Sequence, residues 1–597
     1  MALKTLGFCI TLPLVAYLAG CTESKMALPI TIAVVPQSAA IAEGQTVHLT
    51  ATITDTASGT TAAATTNNDS TGVMWSATEG TVDAEGNYTA PAGTPSISVS
   101  VTATSKVDRT KFASATVYII APGNVSSTVN PQVAQYSITP GTSAKVSVRF
   151  GLDTNYGLTT WTQTSSGTGA VSLLVAGMKP NTVYHLSAEI QFDDGTQFLD
   201  TDHVFTTGEI EPASQAPSLV ITTAPGMTPQ SGIELLDILN GVAARPTVTD
   251  LNGNVLWAYT AGPNGLDVDP IKLLPNGNFL MNFNQGSTLD GNNSVLQEVD
   301  LTGNLVWQLT AADLNKALAA ATCAGCNITV IGTHHDFVML PNGHLIVIAA
   351  TQQNVSGTTV TGDVLIDLDQ NRNPVWLWNE FDHLDINRRP FMYPDWTHTN
   401  AILYSPDDGN LIISIRHQNW LVKLDYANGT GAGDILWHLG YQGDFTLVGG
   451  TDPTDWFYAQ HGPSFASANT TGTFSLGVFD NGNDRVFPSG VTCGSSGAPP
   501  CLYSTAQILQ LDETAKTATF TFHTTAPWFS FFGGNTAVLK NGHVEYCESA
   551  GGPTANSGEI YEVTQDSSVQ PVWHMEVTGQ YVYRGQRLPS FYPGVQW

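Results

Sequence analysis

Residues 340–376 open on Leu340-Pro-Asn-Gly343 and close on Pro374-Val-Trp376, and this frame recurs: a strand, an Asn-Gly or Asp-Gly turn, two more strands, a second turn, and a strand ending in Trp. The opening turn returns as Leu274-Pro-Asn-Gly277, Asp407-Asp-Gly409 and Leu539-Lys-Asn-Gly542, where the dipeptide supplies the positive φ of a tight hairpin. The closing strand returns as Val255-Leu-Trp257, Leu305-Val-Trp307, Ile435-Leu-Trp437 and Pro571-Val-Trp573, with Phe520 to Phe522 standing in before the last. Units of about 50 to 80 residues with four strands each, and no helical periodicity between them, describe propeller blades. The frame predicts a six-bladed β-propeller over residues 211–597, with the tryptophans filling the space between adjacent blades.

Working outward, residues 28–121 alternate in period two, as in Val47-His-Leu-Thr-Ala-Thr-Ile53, and predict an immunoglobulin-like β-sandwich. Residues 122–210 continue the style and predict a fibronectin-like sandwich; both modules read as spacers. The fold class is therefore all-β, a six-bladed propeller preceded by two small sandwiches. Ahead of them, Lys4 and an apolar run precede Leu18-Ala-Gly-Cys21, the pattern of a bacterial lipoprotein signal over residues 1–20 with lipid on Cys21 and a linker over 21–27. The expectation is a cell-envelope lipoprotein, in the periplasm or the outer membrane, held to the membrane by its first mature residue. In that oxidising compartment Cys323 with Cys326, and Cys493 with Cys501, are plausible local pairs whose connectivity the sequence leaves open, and Cys547 reads as a buried thiol. A formal charge of −29 disfavours nucleic acid as a partner, because phosphate backbones are repelled at long range.

Aligning the opening hairpins sets His335, His398 and His461 level, at equal intervals of 63 residues. In a propeller the first strand of each blade is innermost, so three neighbouring blades would each send one imidazole toward the channel mouth. Arg416 interrupts the apolar strand Leu411-Ile-Ile-Ser-Ile-Arg416, and a half-buried guanidinium needs an anion. That anion is either an internal carboxylate, Asp336 or Asp395, or a tetrahedral oxyanion held by Arg416 with Asn400 donating alongside.

These motifs resemble the bacterial arylsulfate sulfotransferases, periplasmic six-bladed propellers that move a sulfuryl group between phenols without a nucleotide sulfate donor. The resemblance covers about residues 211–597 and rests on His334-His335-Asp336, Asp395-Trp-x-His398-x-Asn400, Ser414-x-Arg416, Gln460-His461, Asp480-Asn-Gly482 with Arg485, and Tyr583-Arg584. It implies that His461 is transiently sulfurylated, with His398, His335 and Arg416 binding the sulfuryl group and assisting proton movement, in ping-pong turnover without metal or cofactor. Asn400, His334, Trp396, Tyr393, Trp456 and Arg485 are the expected substrate-binding residues. His334 is an alternative to His335, since adjacent strand residues face opposite sides. The expected partners are an aryl sulfate donor and a phenolic acceptor. Ten aromatic residues of the connecting segments, among them Trp420, Phe457, Tyr458, Trp528, Phe529, Phe531 and Phe532, could line the aryl pocket, three or four of them touching substrate. Two rival readings are a noncatalytic binding propeller and a metallohydrolase with His335, His398 and His461 as a zinc site.

Overall fold

The structure is a computed structural model that describes residues 29–64, 72–209, 216–239, 245–263, 265–284, 294–494, 500–552 and 556–597. The leader and Cys21 lie outside the described residues. Strands dominate, as the alternation and the β-branched runs require. Between Ile30 and Ile120 the strands form three small sheets around Leu49, Tyr88, Val101 and Val117. Between Asn124 and Thr206 two further sheets enclose Tyr136, Phe150, Leu173 and Leu186.

Beyond residue 216 the chain builds six sheets of four or five strands, antiparallel except where Thr446–Val448 joins Thr517–Thr525 in parallel. Each Trp motif lies on an outer strand: Val255–Ala258, Leu305–Thr310, Pro374–Asn379, Ile435–Leu439 and Pro571–Val577, with Thr517–Thr525 carrying the phenylalanines. Several of the indoles tie one sheet to the next. Trp257 Nε1 donates to Leu301 O at 2.8 Å, Trp437 Nε1 to Glu513 Oε1 at 2.8 Å and Trp573 Nε1 to Leu251 O at 2.9 Å. At the other edge the inner strands touch in order, Tyr581–Leu588, Asp267–Leu273, Val330–Met339, Thr399–Ser405, His461–Phe465 and Asn535–Val538. Val544–Gly551, beside the last of these, returns to Tyr581–Leu588.

Two features depart from the repeat frame. The first sheet takes its inner strand from the far end of the chain, Tyr581–Leu588 pairing with Ile233–Leu239, while Leu219–Thr223 adds an outer strand to the sixth by pairing with Pro571–Val577. The two ends of the repeat region are thereby interlocked through backbone hydrogen bonds. A helix, Ala311–Ala320, also stands between the second and third sheets, where no helical periodicity was expected. Its alanine-rich sequence favours helix, Thr310 and Asp313 close a reciprocal capping box, and Leu314 and Leu318 bury one face. After the last strand the tail folds onto the second N-terminal module. Tyr592 Oη donates to Leu174 O at 2.8 Å, and Trp597 Nε1 donates to Thr159 O at 2.9 Å with its ring edge-on to Phe150.

Two disulfides, Cys323–Cys326 and Cys493–Cys501, staple connecting segments, and Cys547 is a buried thiol pushed up by burial. Among the described residues no helix is long and apolar enough to cross a membrane.

Candidate active site

The inner strands of the third, fourth and fifth sheets all break their ladders at a histidine. Pairing of Val330–Met339 shifts between Thr333 and Phe337, and His335 adopts a φ of 57°. His398, with a φ of 54°, immediately precedes Thr399–Ser405, whose own register shifts between Thr399 and Ala401. His461 opens its strand, and the register shifts again before Ser464. Such irregularities re-aim a side chain, and left-handed backbone at a bulky residue persists only where its surroundings hold it. Gly462, with a φ of 46°, allows the close approach, since a Cβ there would sit 2.3 Å from Gly534 O.

The re-aimed rings meet. His335 and His398 lie 4.6 Å apart edge to face, His335 and His461 sit 5.8 and 6.0 Å from Tyr583, and His417 stacks on His398 at 4.5 Å. All five rings line one cavity of about 1000 Å³, together with Arg416, Asp395 and Asp269 and an apolar rim that includes Met392, Phe531, Phe532 and Tyr581.

Partners fix the protonation of the rings. Asn481 Nδ2 donates to the carbonyls of Ser530 and Gly533 at 2.8 and 3.0 Å, so its Oδ1 faces His461 Nδ1 at 2.7 Å as an acceptor. Nδ1 of His461 therefore carries the hydrogen and Nε2 the lone pair. Burial, with the positive charge of Arg416, holds the His461 pKa well below the ordinary imidazole value. His417 is held down to about 2 by burial and by His398; its Nδ1 donates to Asp395 O at 2.8 Å, and its Nε2 accepts from Arg416 at 3.2 Å. His398 Nδ1 sits 2.7 Å from Asp395 Oδ2. Against the burial that opposes ionisation, His398 and its hydrogen bond hold the Asp395 carboxyl below the usual carboxylate range. Asp395, His398 and His417 bring their side-chain donor atoms within 4.8 Å of one another, a spacing a metal ion would tolerate, but they satisfy each other and stand beside a guanidinium.

Arg416 is buried, donates to Phe531 O at 3.0 Å, and leaves Nε without a partner. Among the described residues it has no carboxylate partner. Of the two expected, Asp336 is taken by Lys272 at 2.5 Å and Arg584 at 3.2 Å, and Asp395 is turned to His398. Burial lowers its pKa to about 10, which leaves it a cation at neutral pH.

The six expected substrate-binding residues lie away from the cavity wall. Asn400 is buried and its Nδ2 donates to Gln460 O at 2.7 Å, because the left-handed turn at His398 breaks the alternation that would have aligned the two side chains. His334 is buried behind His335, with Nε2 2.9 Å from Asp363 Oδ1. Trp396 is core, its Nε1 donating to Arg388 O at 2.9 Å, and Trp456 is core beside Phe457 and Tyr458. Tyr393 is half-buried under the Arg389 guanidinium at 3.9 Å. Arg485 pairs with Asp480 at 2.5 Å and caps the carbonyls of Thr454 and Trp456. Of the ten candidate aromatics, Phe531 and Phe532 line the cavity. Sequence reasoning missed His417 and Asn481. The first was marked only by its place after Arg416, and the second sat inside the Asp480-Asn-Gly482 motif without a role of its own.

With this geometry in view, the comparison with known families is direct. The chain matches the arylsulfotransferase (ASST) family over residues 222–584, more than half its length, and it belongs to that family. No curated protein matches it significantly. Among solved structures it is similar to a putative 6-phosphogluconolactonase from Bacteroides uniformis, at 11% identity over 65% of this chain and 90% of that one with a TM-score of 0.21. It is also similar to a DUF4784 family protein from Bacteroides caccae, at 10% identity over 76% and 95% with a TM-score of 0.27.

Proposed function

We propose that this chain moves a sulfuryl group from an aryl sulfate to a phenol through a covalent sulfohistidine on His461, at the centre of a six-bladed propeller. The observation that carries the reading is Arg416, a buried guanidinium with no carboxylate partner among the described residues, opening onto a cavity it shares with a neutral imidazole whose Nε2 is unprotonated. A buried cation without a partner is costly, and the sulfate of a substrate supplies the missing charge. The family match supports the arylsulfotransferase chemistry in general. The succession of inner-strand contacts supports a ring of blades.

In the first half-reaction the His461 Nε2 lone pair forms the N–S bond as the S–O bond to the phenolate breaks. The transition state is loose and in line, so the protein chiefly positions groups and stabilises charge on the sulfuryl oxygens, the task of Arg416 with His398. His335 protonates the departing phenolate. In the second half-reaction a phenol gives its proton to the same ring and attacks sulfur, and His461 leaves as a neutral imidazole. The rim of Phe531, Phe532 and Tyr581 takes the aryl rings in turn. The two N-terminal modules, immunoglobulin-like and fibronectin-like, act as spacers between this domain and a lipid anchor on Cys21 at the bacterial envelope. Two disulfides suit that compartment.

The test is brief exposure to 4-nitrophenyl sulfate followed by peptide mass analysis. The expected result is one added sulfuryl group on the His461 peptide, lost when phenol is added. Nitrophenolate release without that adduct, or release unaffected in His461→Ala, contradicts the reading.

A further inference from the structure

The departing phenolate needs a proton, and His335, the ring assigned to give it, is held well below the ordinary imidazole value by burial and by its neighbours His398, His334, His461 and Arg416. An imidazolium there is disfavoured, so the proton must come from elsewhere. His335 Nδ1 lies 2.7 Å from His334 Nδ1, and such a contact requires one N–H and one lone pair. His334 is the ring backed by a carboxylate, Asp363, at 2.9 Å from Nε2. Asp363 also accepts from Thr397 Oγ1 at 2.9 Å and from the Thr399 N–H at 2.6 Å, an environment of donors that suits an anion. The neighbouring Glu380 is pushed well above the carboxylate range by burial and by Asp363. Although burial opposes it, Asp363 raises the His334 pKa above the ordinary value. Asp269 and Asp395 act on His334 in the same sense, from outside the hydrogen-bonded chain.

We propose, resting on the sulfuryl-transfer reading above, that His334 and Asp363 form with His335 a buried proton relay that supplies and recovers the phenolic proton. His334, protonated on both nitrogens, donates Nδ1–H to His335 Nδ1, which leaves the His335 proton on Nε2, its remaining ring nitrogen. As the S–O bond breaks, the Nε2–H bond of His335 breaks and the phenol O–H bond forms, while the Nδ1 proton of His334 passes to His335 Nδ1. His335 is neutral before and after with its tautomer reversed, and His334 is left neutral with Nε2–H still donated to Asp363. When the acceptor phenol delivers its proton to Nε2, the Nδ1 proton returns to His334. The positive charge of His334 is cancelled against the departing phenolate, and His335 never becomes an imidazolium beside Arg416. His334 and Asp363 act through His335 and are positioning residues.

The experiment compares the wild-type chain with His334→Asn, whose amide reaches the place of Nδ1 and donates to His335 but has no proton to pass on. Donors differ in leaving-group basicity: 4-nitrophenyl sulfate, whose phenolate leaves without help, and phenyl sulfate, whose phenolate does not. The expected result is a loss of about 10²-fold or more in kcat/KM for phenyl sulfate and less than about tenfold for 4-nitrophenyl sulfate, the share general acid catalysis ordinarily supplies. Equal losses with both donors, or no loss with either, overturn the relay and leave sulfuryl transfer standing. A wild-type chain that turns over no aryl sulfate overturns both. Independently of turnover, 15N spectra of histidine-labelled wild-type protein at neutral pH should show His334 doubly protonated and His335 singly protonated. A neutral His334 overturns the relay even if the variant is slow.

Discussion

Asn481 decides which nitrogen of His461 is free, and removing it tests the nucleophile more sharply than removing the ring. Its Oδ1 is held 2.7 Å from Nδ1 by the two carbonyls that take its Nδ2 hydrogens. In Asn481→Ala the buried Nδ1–H loses its acceptor, at a cost of about 1–3 kcal/mol, and the tautomer with hydrogen on Nε2 is no longer penalised. If that whole difference appears in the fraction of rings with a free Nε2, the rate of sulfuryl uptake falls about 5- to 150-fold. Asn481→Asp keeps an acceptor and adds a charge. An opposite charge at contact raises an imidazole pKa by about 1–3 units, so the ring is protonated at higher pH and the acid limb of the uptake rate moves upward by that amount. The assay is the burst of 4-nitrophenolate in a rapid-mixing experiment across pH, which reads the first half-reaction alone. A burst rate in Asn481→Ala equal to that of the wild type would refute the assignment. So would an acid limb in Asn481→Asp that stays put or moves to lower pH.

Three further outcomes are expected. Arg416→Ala should lower the burst rate by about 10²- to 10³-fold, and Arg416→Lys should not restore it, because a point charge does not reproduce the planar fork; full activity in either variant contradicts the anion seat. Glu548, raised well above the carboxylate range by burial, must keep its proton while the unfolded chain ionises above the ordinary value of 4.5. Its folded pKa lies above its unfolded one, so each pH unit in that window costs about 1.4 kcal/mol. Glu548→Gln should therefore gain in thermal midpoint over the wild type as pH rises toward neutrality, and parallel pH profiles would count against it. Deleting residues 581–597 removes the inner strand of the first sheet and exposes Ile233, Leu235 and Leu236, so the chain should lose its cooperative melt, as read by circular dichroism; an unchanged melt contradicts the interlocked closure.

What could be read in the sequence was local. Each outer strand announces itself by a Trp or Phe in a short strand-forming run, and each Asn-Gly turn by its glycine, because those choices are dictated within a few residues; Gly277, Gly343 and Gly542 all sit at φ near the left-handed value, 81°, 82° and 86°. Pairing of Tyr581–Leu588 with Ile233–Leu239 crosses almost the whole repeat region, and no neighbouring residue records it. The histidines were legible because equal spacing from recurring turns sets them at one level. The lining was not, since an aromatic side chain reads the same in sequence whether it packs inward, as Trp396 and Trp456 do, or rims a cavity, as Phe531 does. Asn400 misled for a related reason: a residue two places from His398 shares its face only if the strand is regular, and the φ of 54° at His398 ends that regularity.

The same contrast explains how rings at one register come to do different work. His335, His398 and His461 each arrive at a break in the strand ladder, and each has its Nδ1 tied to a different group: another imidazole, a carboxylate and an amide oxygen. The amide adds no charge, so His461 stays neutral with a fixed free Nε2, as a nucleophile needs. The imidazole can give or take a proton, which would let His335 change tautomer without charging, as the proposed relay requires. The carboxylate of Asp395 holds His398 through Nδ1, which orients its ring on the cavity wall beside Arg416. Repetition delivers the rings, and single residues, His334 on the same strand as its partner and Asp395 and Asn481 on connecting segments, distinguish their surroundings. Exchanging partners should accordingly exchange properties: an amide at position 395, in Asp395→Asn, is expected to weaken donor binding, with a rise in KM larger than any fall in kcat. A fall in kcat with KM unchanged would mean that His398 acts on the proton and not on the sulfuryl oxygens.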